Sequence, residues 1–333
     1  MKRENPIWIT WERQRRSMVL SDEFGAEFHE LISSAPRLFR YFILSFKTLR
    51  ILIKKKPTLI FVQNPSMVLA LLACFYRICS SRAVLIIDRH SNFLPVSSSS
   101  IINILHKVMS VFTLKWSDLT IITNEYLKRY VISLGGKAYV LEDKIPTLHK
   151  KNEIHLKGDF NVVCICSFDM DEPFEEVFKA AELLSSDIYI YVTGNYNKIS
   201  NKNILSSLPA NLVLLGYLND TDYVDHLYSA DALLVLSEWE HTLLCGAYEG
   251  VSVEKPLILS NKKDLLNYFR SGAIATENDA NSIAEAVETS VEKRTLLSKQ
   301  IKTLRNELSK NWQNKFDSLN QLIESMYSNM KRR

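Results

Sequence analysis

Residues 233–261 read LLVLSEWEHTLLCGAYEGVSVEKPLILSN, and this stretch restricts the fold more than any other in the chain. Its first four residues, Leu233 to Leu236, are all apolar. A run that short and that uniform fits a strand covered on both faces, which is how strands of a parallel sheet sit. Residues 237–244 are a polar loop holding Glu238, Glu240 and His241. Residues 245–253 then predict a short helix starting near Gly246. Lys255-Pro256 ends it and leads into a second apolar run at 257–259. Strand, loop, helix and strand in that order make one step of an α/β fold.

The same step recurs on both sides. Apolar runs at 7–10, 58–62, 83–87, 119–123 and 138–141 predict strands. Helical stretches are expected at 23–33, 37–55, 67–79, 101–116 and 125–134, the last closed by Gly135-Gly136. Residues 143–159 are polar and lysine-rich with no apolar period, which suits a linker. Beyond them, strands are expected at 162–166, 188–192, 212–215, 233–236 and 257–259. Helices are expected at 172–184, 223–229, 262–271 and 281–287. From 292 onward the chain reads as helix alone. At 333 residues the chain is long for one domain. The expected architecture is α/β, with two Rossmann-like domains of parallel strands facing a central cleft. An N-terminal domain would span 1–145, a linker 146–159 and a C-terminal domain 160–305. A helical segment at 306–333 would return to the first domain.

Several function classes are disfavoured by composition. A net charge of +4 is too small to suggest nucleic acid. Nine glycines form neither GxGxxG nor GxxxxGK[ST], so dinucleotide and P-loop sites lack their signature. Five cysteines without a CxxC suggest buried thiols in a reducing compartment. Cys164 and Cys166 lie along one strand and share a face, which favours core packing. No signal peptide opens the sequence, and no apolar run reaches the roughly 18 residues of a membrane span. The expected location is cytoplasmic.

Function in parallel sheets collects where strands end. In the first half those ends offer Arg13, Arg15, Arg16 and Ser17, then Asn64, then Asp88 and His90. Guanidinium groups suit a diphosphate. A histidine beside a carboxylate suits proton transfer or hydrogen bonding to a sugar. In the second half they offer Ser167, Thr193, Gly194, Gly216, Tyr217, then Glu240, His241, Thr242, Leu243 and Leu244, then Glu249. Amides opening the 245–253 helix could hold phosphate oxygens. Glu249, expected in the helix's first turns, could accept from ribose hydroxyls. The plainer alternative is that strand ends are polar because loops are wet. Asp169-Met-Asp171 is a DxD; helix capping by its acidic residues is the preferred reading over a metal. No metal or other cofactor is expected.

Residues 37–56, from Arg37 to Lys56, read RLFRYFILSFKTLRILIKKK: aromatic and aliphatic residues with many cations and no acid. Such a helix suits an anionic membrane surface, or alternatively a packed helix with a basic exposed edge. Residues 101–115 are a weaker version.

Residues 233–261 resemble the nucleotide-sugar site of family 4-like GT-B glycosyltransferases. Glu249, Pro256 and residues 257–260 match in order and spacing. Asn64-Pro65, Asp88-x-His90-Ser91-Asn92, the strand before Asn124, and Asp171-Glu172 resemble the chitobiosyldiphosphodolichol β-1,4-mannosyltransferase group. The likeness runs over roughly 5–290. Two features depart from it. Family 4 members pair glutamates as E-x7-E, whereas here eight residues separate Glu240 from Glu249, and His241 takes the expected position. The Arg/Lys pair on the diphosphate has no counterpart after 162–166, so Ser167, Thr193, backbone amides or first-domain arginines would substitute. The resemblance implies a hexosyltransferase moving a sugar from a UDP- or GDP-linked donor to a polyprenyl-diphosphate-linked or other glycan acceptor. Such an enzyme in bacterial surface-polysaccharide assembly would sit on the inner face of the cytoplasmic membrane. Catalytic candidates are Asp88, His90 and Glu240. A non-catalytic subunit scaffolding a partner enzyme, or a sugar-nucleotide epimerase, are the alternatives.

Overall fold

The structure is a computed structural model that describes residues 5–64, 66–80, 83–89 and 100–331. The chain divides into two compact units, Met1–Lys144 with Trp312–Arg333, and Ile145–Asn311.

Unit 1 holds six strands in the order β2-β1-β3-β4-β5-β6. They are β1 (Pro6–Thr10), β2 (Glu27–Glu30), β3 (Leu59–Asn64), β4 (Val84–Arg89), β5 (Leu119–Ile122) and β6 (Ala138–Val140). All their pairings are parallel. Side chains alternate across the sheet with period two. Trp8, Phe61 and Ile86 point to one face. There they meet Leu20 of α1 (Arg15–Glu23) and Trp312, Phe316 and Leu319 of α11 (Arg294–Lys331). Ile7, Ile60 and Leu85 point to the other, under α2 (Arg37–Lys55), α3 (Met67–Cys79) and α4 (Ser100–Trp116). Helix α5 (Glu125–Ser133) is capped by Asn124, whose side chain accepts from the Leu127 N–H.

Unit 2 holds six parallel strands in the order β12-β11-β10-β7-β8-β9. They are β7 (Phe160–Cys164), β8 (Ile188–Thr193), β9 (Leu212–Gly216), β10 (Ala232–Val235), β11 (Leu257–Ser260) and β12 (Ala273–Thr276). One face is covered by α6 (Phe174–Leu183) and α10 (Ala280–Glu292). Cys164 and Cys166 both pack in that core as free thiols. The other face takes α7 (Asp220–Ser229), α8 (Cys245–Ser252), α9 (Lys263–Tyr268) and the first part of α11. Gly246 and Gly250, four residues apart, turn toward Val235, Ile165, Leu233 and Leu257. With no side chain at either position, α8 lies close on β10 and β11.

Three local expectations change. Residues 23–33 are not a helix: α1 ends at Glu23 and β2 follows. The polar run 11–17 after the first strand, expected as a loop, instead leads into α1 from Arg15, and Arg16 and Ser17 turn inward. β2, sequence EFHE, is an edge strand with no apolar run to announce it. β12 is likewise an edge strand, paired only to β11. Residues 145–158 lack regular structure but pack on unit 2. The Asp225 carboxylate accepts from the N–H groups of Lys151 and Asn152 at 2.7 and 3.0 Å, and Ser252 Oγ donates to the Pro146 carbonyl at 2.6 Å.

Candidate functional site

In unit 2 the chain direction across the sheet reverses between β7 and β10, since β8 and β9 lie on one side and β11 and β12 on the other. Open α/β sheets bind ligands at such a switch point, beyond the carboxyl ends of the strands. The loops leaving β7 and β10 are therefore the natural platform, and they are fastened together. Ser237 Oγ donates to Asp171 Oδ2 at 2.5 Å, and the Glu238 N–H donates to the Asp171 carbonyl at 2.7 Å.

The loop after β7 curls round a carboxylate of its own. Glu172 Oε2 accepts from the N–H groups of Ser167 and Asp169 at 2.8 and 3.0 Å and from Ser167 Oγ at 3.0 Å. Phe168 between them is left-handed, with φ of 58°. Converging amides of this kind form an anion cradle, here filled by Glu172. Ser167, Thr193, Gly194 and Gly216 lie side by side at the ends of β7, β8 and β9. Thr193 is buried, and its Oγ1 accepts from the Cys166 N–H at 3.1 Å. Gly194 has φ of 100°, and a Cβ there would collide with the Cys166 carbonyl. Its N–H donates to the Gly216 carbonyl at 2.9 Å. Tyr217 next to it is exposed. The acidic residues of the DxD segment do not cap α6 as expected, because Pro173 holds the cap position and no side chain bonds there. Asp169 instead meets Lys198 Nζ at 2.9 Å, and that bond, followed by the one from Ser167, holds its carboxyl below the ordinary range. Among the described residues no group of three His, Cys, Asp or Glu is placed to hold a metal ion.

The loop after β10 is held by residues that follow β11. Glu240 pairs with Lys262 at 3.1 Å, and His241 Nδ1 meets Asp264 Oδ2 at 2.6 Å. His241 itself is left-handed, with φ of 59°, a conformation uncommon away from glycine. Thr242 Oγ1 donates to the Glu240 carbonyl at 3.3 Å, while Leu243 and Leu244 lean on the core. Leu244 occupies the N-cap of α8 and supplies no side-chain cap, so the opening amides face the loop with their dipole. Glu249 falls in the second turn of α8. It is buried, and its Oε2 accepts from Tyr223 Oη of α7 at 2.5 Å.

In unit 1 the reversal falls between β1 and β3. Arg13 and Arg15 are exposed there. Arg16 is not: its side chain is 3% exposed and Asp88 is 0% exposed. Arg16 Nε and Nη2 reach Asp88 at 3.0 and 2.9 Å, Nη1 meets Asp143, and Nη2 also donates to the Leu141 carbonyl at 2.9 Å. Burial opposes the charge, but Asp88 and Asp143 more than offset it and raise the guanidinium above its ordinary value. The expected separate roles, cation for a diphosphate and carboxylate for a base, thus meet as one internal ion pair. Ser17 Oγ donates to Gln14 Oε1 at 3.3 Å, and Gln63 Nε2 donates to the same oxygen at 2.7 Å. Asn64 closes β3 opposite Arg89; its side chain and all of His90 lie outside the described residues.

Sequence reasoning missed Tyr223, Lys262, Asp264, Gln14 and Gln63, and named Glu172 only as part of the Asp171-Glu172 resemblance. The strand-end rule reaches Lys262 and Asp264 once it is carried past β11. Nothing local marks Tyr223, which meets Glu249 from another helix.

No protein-family model and no curated protein sequence matches the chain. Solved structures do match. Anabaena Alr3699/HepE in complex with UDP superposes with a TM-score of 0.67 at 12% identity, over 98% of this chain and 100% of that one. A glycosyltransferase from Rickettsia africae gives 0.67 at 14% identity, over 99% and 91%. A Listeria monocytogenes protein described as a UDP-N-acetylglucosamine 2-epimerase gives 0.60 at 12%, over 89% and 91%. Likeness at these identities is one of fold, and the chain has the two Rossmann-like units of the GT-B fold. The narrower resemblance to the chitobiosyldiphosphodolichol mannosyltransferase group finds no counterpart among these neighbours.

Proposed function

We propose that the chain is a hexosyltransferase that takes its sugar from a UDP-linked donor. One observation carries the reading. The switch point of unit 2 gathers a buried carboxylate, Glu249, and the uncapped start of α8, in a fold whose HepE counterpart was crystallised with UDP. The ribose hydroxyls bind Glu249, with Tyr223 fixing its rotamer. The diphosphate takes the amides of residues 243–246, and the base stacks near Gly216 and Tyr217. Stabilising the departing diphosphate is the main chemical need of the transfer, and oriented amides meet it without reorganising. No metal is required for that step. Glu240 and His241, held by Lys262 and Asp264, border the sugar.

The acceptor is a glycan on a polyprenyl diphosphate, bound by unit 1 at Arg13, Arg15 and Asn64, in assembly of a bacterial surface polysaccharide; Ser17, turned inward, takes no part. A lipid-linked acceptor calls for work at the inner face of the cytoplasmic membrane, with contact through residues 37–56.

The test is incubation of the protein with labelled UDP- and GDP-sugars and a polyprenyl-diphosphate acceptor, beside calorimetry with UDP. Transfer from a UDP-sugar is expected. Absence of both transfer and UDP binding would sink the reading and leave a non-catalytic subunit. Glu249→Ala should weaken UDP binding about tenfold or more, the worth of a hydrogen bond to a charged group. The Listeria neighbour favours one rival, epimerisation. An epimerase would release altered sugar from the donor with no acceptor present.

A further inference from the structure

Helix α2 has two apolar faces. Leu44, Thr48 and Leu52 are buried against the sheet. Phe39, Phe42, Phe46, Leu49 and Ile53 form a second stripe at steps of three and four residues, and it faces solvent, with Phe42 75% exposed. One face is what a helix on a sheet needs; the second has no folding role. Its neighbours repeat the pattern. On α3, Phe75 and Ile78 are exposed; on α4, Ile101, Ile104, Leu105, Val108 and Trp116 are, with Ile101 at 79%. Phe75 meets Phe112 at 5.7 Å between ring centroids and Phe112 stacks on Trp116 at 5.8 Å, which joins the α3 and α4 surfaces. Exposed apolar area of this extent marks a binding surface.

The charge around it says what binds. Residues 31–117 contain twelve Lys and Arg and one carboxylate, Asp88. That carboxylate is buried against Arg16. The helices α2, α3 and α4 thus carry no acidic residue of their own; at their border Lys55 pairs with Glu27 and Arg77 with Asp118, and the remaining cations leave the surface apolar and cationic. A second copy docking here would bring cations against cations. A bilayer containing anionic phospholipid meets both demands, taking the rings into its acyl boundary and the lysines and arginines at its headgroups. No helix of the described residues is long and apolar enough to cross a membrane.

We infer that the outer face of α2, α3 and α4 is a monotopic membrane-docking surface, with Phe39, Phe42, Phe46 and Trp116 inserted below the headgroups of an anionic bilayer. It gives the membrane contact proposed above a face and a depth. It stands on surface chemistry alone, so it can fail while sugar transfer stands, and the reverse.

The test is co-sedimentation of the full chain with vesicles of phosphatidylcholine alone and of phosphatidylcholine mixed with phosphatidylglycerol. Strong binding to the mixed vesicles is expected, with part of it surviving high salt because the rings are inserted. Bromine-labelled acyl chains should quench Trp116, and Trp116→Phe should remove that quenching. Phe42→Asp with Phe46→Asp should cut partitioning about tenfold or more. Both side chains are exposed, so the melting temperature should hold. Failure to bind the mixed vesicles, or equal binding by the double variant, overturns the inference. So does a soluble dimer that the same substitutions dissociate, since a second copy would then cover the face.

Discussion

Removing the Arg16 guanidinium would take from Asp88 the cation that meets both of its oxygens, at 3.0 and 3.1 Å from Nε, in a place no solvent reaches. Breaking a buried pair from one side costs about 3–5 kcal/mol, because the remaining charge keeps its desolvation penalty. Arg16→Ala should therefore lower the urea-extrapolated stability by that amount. Arg16→Met combined with Asp88→Leu should recover most of it, Asp143 being partly exposed and able to hydrate. If the double variant is as unstable as the single one, the pair does more than neutralise itself. At the proposed donor site the same scale separates Glu249 from Tyr223. Tyr223→Phe deletes one donor and leaves the carboxylate, so UDP affinity should drop only about threefold to tenfold. An equal loss in Tyr223→Phe and Glu249→Ala, by calorimetry, would place Tyr223 against the nucleotide directly. These residues also show where sequence reading stops. The position of Glu249, on a helix after a buried strand and before Pro256, was legible because that pattern is local. Its partner on α7 and the Arg16–Asp88 pair join residues 26 and 72 positions apart, and no local pattern encodes such a meeting.

Strands buried on both faces announce themselves as apolar runs, so β3, β4, β7, β10 and β11 could be read directly from residues. The edges could not: EFHE and AIAT have one neighbouring strand each, and half their surroundings are solvent or helix. Pairing, a tertiary event, decides them. The anion-cradle loop was legible only as a polar strand end. What it became depends on Gly194, whose missing Cβ lets β8 end against the Cys166 carbonyl. Gly194→Ala adds both that collision and a left-handed strain, and should cost on the order of 3 kcal/mol. The shift in denaturation midpoint measures it. A change under about 0.5 kcal/mol, the range of an ordinary surface substitution, would mean that the loop relaxes and that the cradle is not rigid.

Helix α11 carries the largest consequence for the molecule. Its residues Ile301, Leu304 and Leu308 pack in unit 2, whereas Trp312, Phe316, Leu319, Ile323 and Tyr327 complete the core of unit 1. Unit 1 is thus built from both ends of the sequence. Phe316 meets Phe24 at 4.8 Å between ring centroids, Trp312 Nε1 donates to the Glu142 carbonyl at 3.0 Å, and the Tyr139 hydroxyl donates to the Lys315 carbonyl at 2.8 Å. Five large side chains at roughly 2 kcal/mol each amount to about 10 kcal/mol of apolar burial, as much as a whole domain's net stability. A chain cut after Asn311 should therefore lose unit 1 and keep unit 2. Hydrogen exchange read by mass spectrometry distinguishes them. Amides of β1, β3 and β4 should exchange freely in the shortened chain, while those of β7, β10 and β11 stay protected. UDP binding, which the donor reading places wholly on unit 2, should survive the cut. Protection retained in β1, β3 and β4 would show that the sheet and its other helices suffice, and that the last turns of α11 only cover a core already stable without them.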